Sequence, residues 1–189
     1  MNIKLRCSCG AVRGEAVNIT PNTGTHIVCC CDDCQAFAHH LGQGPAVLDQ
    51  FGGTDIFQTS QSQVKIKKGQ ENLRCLRLSS TGLYRWYTGC CNTPVGNTLN
   101  GKFPFIGLIH SFIHIKGNRE SMLGPVRAYV QTQHALGTPS YPHAAKAFPV
   151  GITLRIVRKI AHWKLKGMHQ PSVFFDADGK PAVDVVIRD

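Results

Sequence analysis

Apolar and polar residues alternate over short stretches through the first half of the chain, the period-2 signature of half-buried strands. Val64-Lys65-Ile66-Lys67 alternates, and Leu73-Arg74-Cys75-Leu76-Arg77-Leu78 nearly does. Thr81-Gly82 separates that run from Leu83-Tyr84-Arg85-Trp86-Tyr87, so the two segments predict a hairpin. Earlier strands are predicted at Ile3–Arg6, Ala11–Val17, His26–Cys30 and Thr54–Thr59, with turns at Pro21-Asn22-Thr23-Gly24 and Gly52-Gly53. Asp32 and Asp33 stand where their side chains could cap a short helix over Cys34–His39, which Gly42 ends.

The second half changes character. An apolar run from Phe103 to Ile115 is followed by Pro125, Pro139, Pro142 and Pro149, which interrupt any long regular element. Ile152, Ile156, Val157, Ile160, Trp163 and Leu165 recur near helical spacing with a basic opposite face, predicting an amphipathic helix at about 151–166. Asp176–Pro181 reads as the turn of a terminal hairpin between Val173–Phe175 and Val183–Ile187. Its D-x-D-G lacks the spacing of a calcium loop. The expected architecture is one domain over 1–189, mainly β (α+β). A core over 1–98 is extended by 99–189, the helix and hairpin included.

Composition narrows the class. With 189 residues, 42% hydrophobic and 17% charged, a packed core is within reach. Met1-Asn2-Ile3-Lys4 opens no apolar leader, and the run of 13 residues from Phe103 is too short to cross a bilayer, which needs about 20. A cytoplasmic protein without a membrane partner is expected. The net charge of +10 is uneven: residues 1–60 hold three basic and five acidic side chains, residues 61–120 nine and two, residues 121–189 nine and four. Such a surface attracts anions without choosing among them, so nucleic acid or an acidic protein is one partner class to weigh.

Cysteine spacing sharpens the picture most. There are nine cysteines, an odd count, and eight fall into three tight clusters. In a reducing compartment that reads as metal ligation rather than crosslinking. Cys7-Ser8-Cys9-Gly10 offers two sulfurs on one side of a segment that the glycine can turn back. Cys29, Cys31 and Cys34 form C-x-C-x-x-C, three ligands from one loop. Three sulfurs leave a tetrahedral zinc one open position, unless His39, His40 or Asp32 closes it. Cys30 faces away from these on an extended segment and is expected in the core, as is Cys75. Cys90 and Cys91 could join Cys7 and Cys9 in a closed four-sulfur site if Gly89 or Asn92 kinks the chain, or one of the two is surplus. Zinc is the metal such sulfur sets favour, and two ions are expected, one structural and one at a catalytic position.

C-x-C-G near the start, C-x-C-x-x-C-Q about twenty residues on, and a cysteine followed by x-T-P after an aromatic strand resemble the glutathione-dependent formaldehyde-activating enzyme (GFA) family. The resemblance covers about residues 5–97. It implies a β-tent of small antiparallel sheets built around one structural and one catalytic zinc. By position, Cys7 and Cys9 match the first structural pair, Cys91 the last structural cysteine, and Cys29, Cys31 and Cys34 the catalytic trio. The chain departs from the family's C-x-x-C-G-T-P, with Thr88 in place of the first cysteine and Asn92 in place of the glycine; Cys90 has no counterpart. The implied activity is a carbon–sulfur lyase acting on an adduct of a small thiol such as glutathione, whose carboxylates Arg74, Arg77 or Arg85 could hold. The alternative is a non-catalytic zinc module whose basic surface docks nucleic acid or an acidic partner.

Overall fold

A computed structural model describes residues 1–188. In chain order the elements are β1 (Ile3–Arg6), β2 (Arg13–Ala16), β3 (Thr25–Cys29), α1 (Asp32–His40), α2 (Gly44–Val47), β4 (Thr54–Thr59), β5 (Val64–Lys68) and β6 (Leu73–Arg77). They continue with β7 (Tyr84–Thr88), β8 (Pro94–Thr98), β9 (Ile106–Ile109), β10 (Ile113–His114), α3 (Arg119–Leu123), β11 (Tyr129–Val130), α4 (Val150–Leu165) and β12 (Val185–Ile187). The protein is mainly β with added helices, as its alternating patterns predict.

The strands form two sheets. One has four strands in the order β10-β1-β2-β5; the other has eight, β11-β3-β4-β9-β8-β7-β6-β12. The larger sheet is mixed: its interior pairs are antiparallel, while β11 on β3 and β12 on β6 run parallel. The main core fills the space between the sheets. Ile3 and Leu5 of β1 and Val64 of β5 meet Phe57, Cys75, Trp86 and Leu108 of the larger sheet. Trp86 is fully buried, packs on Phe174 and Phe175, and donates its indole N–H to Thr98 Oγ1 at 2.9 Å. Because strand side chains alternate, Arg85 and Leu76 point to the sheet's other face. There α1 lays Phe37, Ala38 and Leu41 against Leu76 and Ile109.

Several boundaries differ from the sequence reading for local reasons. The second strand begins at Arg13, because residues 7–12 are spent on a tight turn closed by Cys7 N–H to Val12 O at 3.1 Å. Cys31, not Asp32 or Asp33, is the residue preceding the first turn of α1, and no side chain caps the helix. The C-terminal hairpin shrinks to a single bridge between Phe175 and Pro181, after which β12 adds to the edge of β6. The apolar run after Phe103 yields β9, an interior strand between β4 and β8, so segment 99–150 contributes directly to the larger sheet. The amphipathic helix is present as α4, one residue earlier at each end.

Candidate metal centres

Cys7 and Cys9 leave β1 on a turn that Gly10 completes at φ 78°, with Gly10 N–H donating to Cys7 O at 3.0 Å. Cys90 and Cys91 lie in the β7–β8 connection. The kink that brings both sulfurs round is at Asn92, φ 53°, where Asn92 N–H donates to Thr88 O at 2.8 Å; Gly89 keeps a negative φ. The four sulfurs lie within 4.8 Å of one another. Cys7–Cys9 is 3.6 Å, Cys7–Cys90 3.9 Å, Cys9–Cys90 3.5 Å and Cys90–Cys91 3.8 Å. A tetrahedron of sulfurs at about 2.3 Å from a central zinc has edges of about 3.8 Å, so these separations suit a tetrahedral ion.

Thr88 occupies the position where the resemblance asks for a cysteine. Its hydroxyl lies 3.4 Å from Cys91 Sγ and accepts from Thr93 N–H at 3.2 Å. Burial pushes the Cys91 thiol up, but the hydroxyls of Ser8, Thr88 and Thr93 and the Cys9 N–H outweigh it and bring it down to about 4. One ready thiolate therefore anchors this cluster. It ties the end of β1 in the smaller sheet to the β7–β8 turn of the larger.

The second cluster lies on the other face of the larger sheet. Cys29 ends β3, Cys31 precedes α1, and Cys34 sits in its first turn; their sulfurs fall within 4.8 Å. Among the described residues no fourth His, Cys, Asp or Glu donor joins them. His39 and His40 are exposed on α1, and Asp32 Oδ2 pairs with His134 Nδ1 at 2.8 Å. Hydrogen bonds from the Cys29 and Cys34 thiols, the Cys34 N–H and the charge of Arg85 outweigh burial and hold Cys31 down at about 2. A thiolate at a helix N-terminus is favoured in the same sense by the helix dipole. Cys29 and Cys34 are raised and keep their protons until a cation displaces them.

Arg85 is the neighbour that the sequence reading misplaced. Its guanidinium is buried, donates to Asp33 Oδ2 at 2.8 Å, and lies over the Phe37 ring at 5.5 Å. It steadies α1 beside the sulfurs rather than standing free for a substrate carboxylate. Arg74 donates to the carbonyls of Glu71 and Leu73, and Arg77 to that of Gly82. Cys30 is fully buried with Sγ 4.0 Å from Tyr141 Oη, and Cys75 is buried in the main core, as their patterns predict.

Missed altogether was a row of polar side chains on the same sheet face as the trio. Cross-strand register places Cys29 opposite Thr54, Ile27 opposite Ile56 and Thr25 opposite Gln58. Thr25 Oγ1, Thr54 Oγ1, Gln58 Oε1 and Arg85 Nε are buried without a hydrogen-bond partner. The available signal was that Thr54 and Gln58 flank Ile56 on one face of β4, with Thr25 opposite Gln58.

No helix among the described residues is long and apolar enough to cross a membrane. No curated protein matches the chain. A crystal structure of a Rhodobacter sphaeroides protein, a structural-genomics target, is similar at 18% identity with a TM-score of 0.44, over 66% of this chain and 97% of that one. A family model, described as a family of unknown function (DUF6151), matches residues 1–186, and the chain belongs to that family.

Proposed function

We propose that this is a two-zinc protein in which Cys7, Cys9, Cys90 and Cys91 hold a structural ion and Cys29, Cys31 and Cys34 hold a second with one position open to a thiol. The observation that carries the reading is the asymmetry of the clusters: four sulfurs at tetrahedral separations in one, three with no fourth protein donor in the other. Bound there, zinc would lower the pKa of an incoming thiol and present it as a thiolate at neutral pH. The chain's own groups do the rest. Cys31 supplies the first anionic ligand at the start of α1, and the Arg85–Asp33 pair fixes that helix on the sheet. The proposed activity is formation or cleavage of a carbon–sulfur bond in a thiol adduct. It agrees with the chain's resemblance to the formaldehyde-activating enzymes, whose substrate thiol is glutathione.

The test is a metal-loaded protein in which cobalt replaces zinc, titrated with 2-mercaptoethanol. A new sulfur-to-cobalt absorption band that is lost in Cys31→Ser and kept in Cys9→Ser, wherever that variant folds, supports an open trio. An unchanged spectrum leaves a non-catalytic zinc module as the better account.

A further inference from the structure

Helix α4 is apolar on two faces. Trp163 is buried against the protein, Ile156 and Ile160 are half-buried, and Ile152 packs against the cluster that holds Cys29 and Cys34. The outer face carries Val150, Leu154, Val157 and Leu165, each more than half exposed. With the exposed Ala161 between the last two, they recur at spacings of four, three, four and four residues. Such spacing keeps all five side chains within an arc of about 80°, a continuous stripe about four turns long. Single exposed apolar residues are ordinary, but a stripe marks a surface that another molecule covers.

The charge around the stripe has one sign. Residues 121–175 contain seven Lys or Arg and no Asp or Glu, and among the described residues no ion pair involves α4. Arg155 and Lys159 donate to the carbonyls of Gly24 and Asn22, and Lys164 to that of Lys102; these bonds hold the helix down without neutralising it. On one flank of the stripe, Leu154 borders a depression of about 290 Å³ rimmed by Arg155, Arg158 and Lys159. On the other, Val157 borders a groove of about 420 Å³ walled by Leu83, Leu99, Phe105 and Phe148, with no charged side chain in its lining among the described residues.

We propose that α4 docks an acidic amphipathic helix of another protein, whose apolar face covers Val150, Leu154, Val157 and Leu165 and enters the groove, while its carboxylates lie over Arg155 and Arg158. The proposal is independent of the metal reading. Charge complementarity selects this occupant. A second copy of α4 would bring two helices without a carboxylate face to face, and like charges meeting across an interface oppose it. Nucleic acid supplies negative charge but no apolar face for the stripe. A lipid surface is matched by a broad apolar face with aromatic residues in it. Here the stripe is narrow, as in a helix–helix seam, and the helix's Trp163 is turned inward.

The probe is a labelled synthetic peptide of about four helical turns, with Leu at alternating four- and three-residue spacing and Glu on both flanks. A scrambled peptide of the same composition and a version with Lys for every Glu accompany it. Each is titrated with the full chain by fluorescence anisotropy, and the bound surface is mapped by methyl NMR shifts of Leu154, Val157 and Leu165. The acidic helix should bind at least about tenfold more tightly than either control and shift those methyls. Leu154→Glu and Val157→Glu, at exposed positions that do not threaten the fold, should each weaken it about tenfold or more. Arg158→Glu should weaken it about fivefold at low salt, less at high salt, and improve binding of the Lys version. Equal binding of the scrambled peptide, no binding of the acidic helix, or shifts confined to residues outside α4 overturns the proposal. Methyl shifts that depend on protein concentration without peptide assign the stripe to a second copy of the chain and also overturn it. So does binding to vesicles of phosphatidylcholine and phosphatidylserine that Leu154→Glu abolishes, with no response to the peptide, which assigns the stripe to lipid.

Discussion

The two cysteine clusters sit on scaffolds of opposite kinds. The four-sulfur cluster joins turns from different sheets. Cys7 belongs to the core between them and Cys91 packs on it, but outside that core the turns are linked only by hydroxyls, Ser8 N–H to Thr93 Oγ1 at 3.0 Å and Thr93 Oγ1 to Ser8 Oγ at 3.1 Å. Cys9 and Cys90 are exposed, so no packing holds them together. The three-sulfur cluster rests on elements that the protein fixes by its own means. β3 is an interior strand, α1 is seated by Phe37, Ala38 and Leu41, and Asp32 and Asp33 tie the helix to His134 and Arg85. Where the polypeptide supplies the rigidity, a metal is free to do chemistry; where it does not, the metal must supply it.

The largest expected effect follows directly. Chelation should unfold or strongly destabilise the protein, because a structural zinc contributes on the order of 10 kcal/mol to folding. Cys9→Ser should lose a large share of that stability in thermal unfolding, whereas Cys31→Ser should melt close to the unmodified protein. Metal analysis should find two zinc ions per chain, and one in Cys31→Ser. Equal destabilisation by both substitutions would erase the distinction between the sites.

A second effect concerns the scaffold of the trio. Asp33→Asn leaves the buried Arg85 guanidinium without its counter-charge, and unpairing a fully buried charge costs about 3–5 kcal/mol. Asp33 is itself more than half exposed, so solvent screens the pair and about 1–2 kcal/mol is the expected loss. Denaturant unfolding measures it. The same change should weaken metal retention by the trio and leave the four-sulfur cluster unaffected.

How much of this the sequence carried depended on what each residue had to signal. Strands with one wet face alternate visibly: Ile3–Arg6, buried at every second residue, lies where the alternation puts it. β9 is buried along its whole length, so it reads as a continuous apolar run with no period to distinguish strand from helix. The cysteines announced their grouping because ligands of one site recur at short spacing, and sulfurs far apart in sequence do meet. Cys90 had no precedent in the resemblance, yet its sulfur lies within 4 Å of three others. Arg85 was illegible for the opposite reason. An arginine between Tyr84 and Trp86 looks like the solvated face of a strand, and its partner Asp33 on the helix that buries it lies 52 residues earlier in the chain. The unpartnered polar groups were hidden likewise, since Thr25, Thr54 and Gln58 belong to half-polar strands and only the fold buries them.

The smallest expected effect probes the strand that delivers Cys29. On the face of β3–β4 opposite the trio, His26 Nε2 meets Asp55 Oδ1 at 2.8 Å and its Nδ1 faces Gly124 O at 2.8 Å. Both ring nitrogens therefore have acceptors, which favours the imidazolium. Burial pulls the His26 pKa down, but Asp55 and the Gly124 carbonyl outweigh it and leave it raised. Burial pushes Asp55 up, yet His26 and Arg119 hold it below the ordinary value. A raised histidine contributes stability that is complete below its unfolded value of about 6.5 and is lost as pH climbs through the folded one. A depressed aspartate contributes above its unfolded value of about 3.9 and loses it as pH falls through the folded one. The pair is thus strongest between those limits, and stability should decline on the alkaline side. His26→Gln should remove that alkaline slope and cost about 1 kcal/mol near pH 6, because the amide keeps a neutral hydrogen bond to Asp55 and loses only the charge assistance. Hydrogen exchange should place the loss in β3 and β4, with the turn of Cys7 and Cys9 unchanged. A slope that survives in His26→Gln, or protection lost equally at both clusters, would show that the trio's scaffold is not held by the protein's own charges.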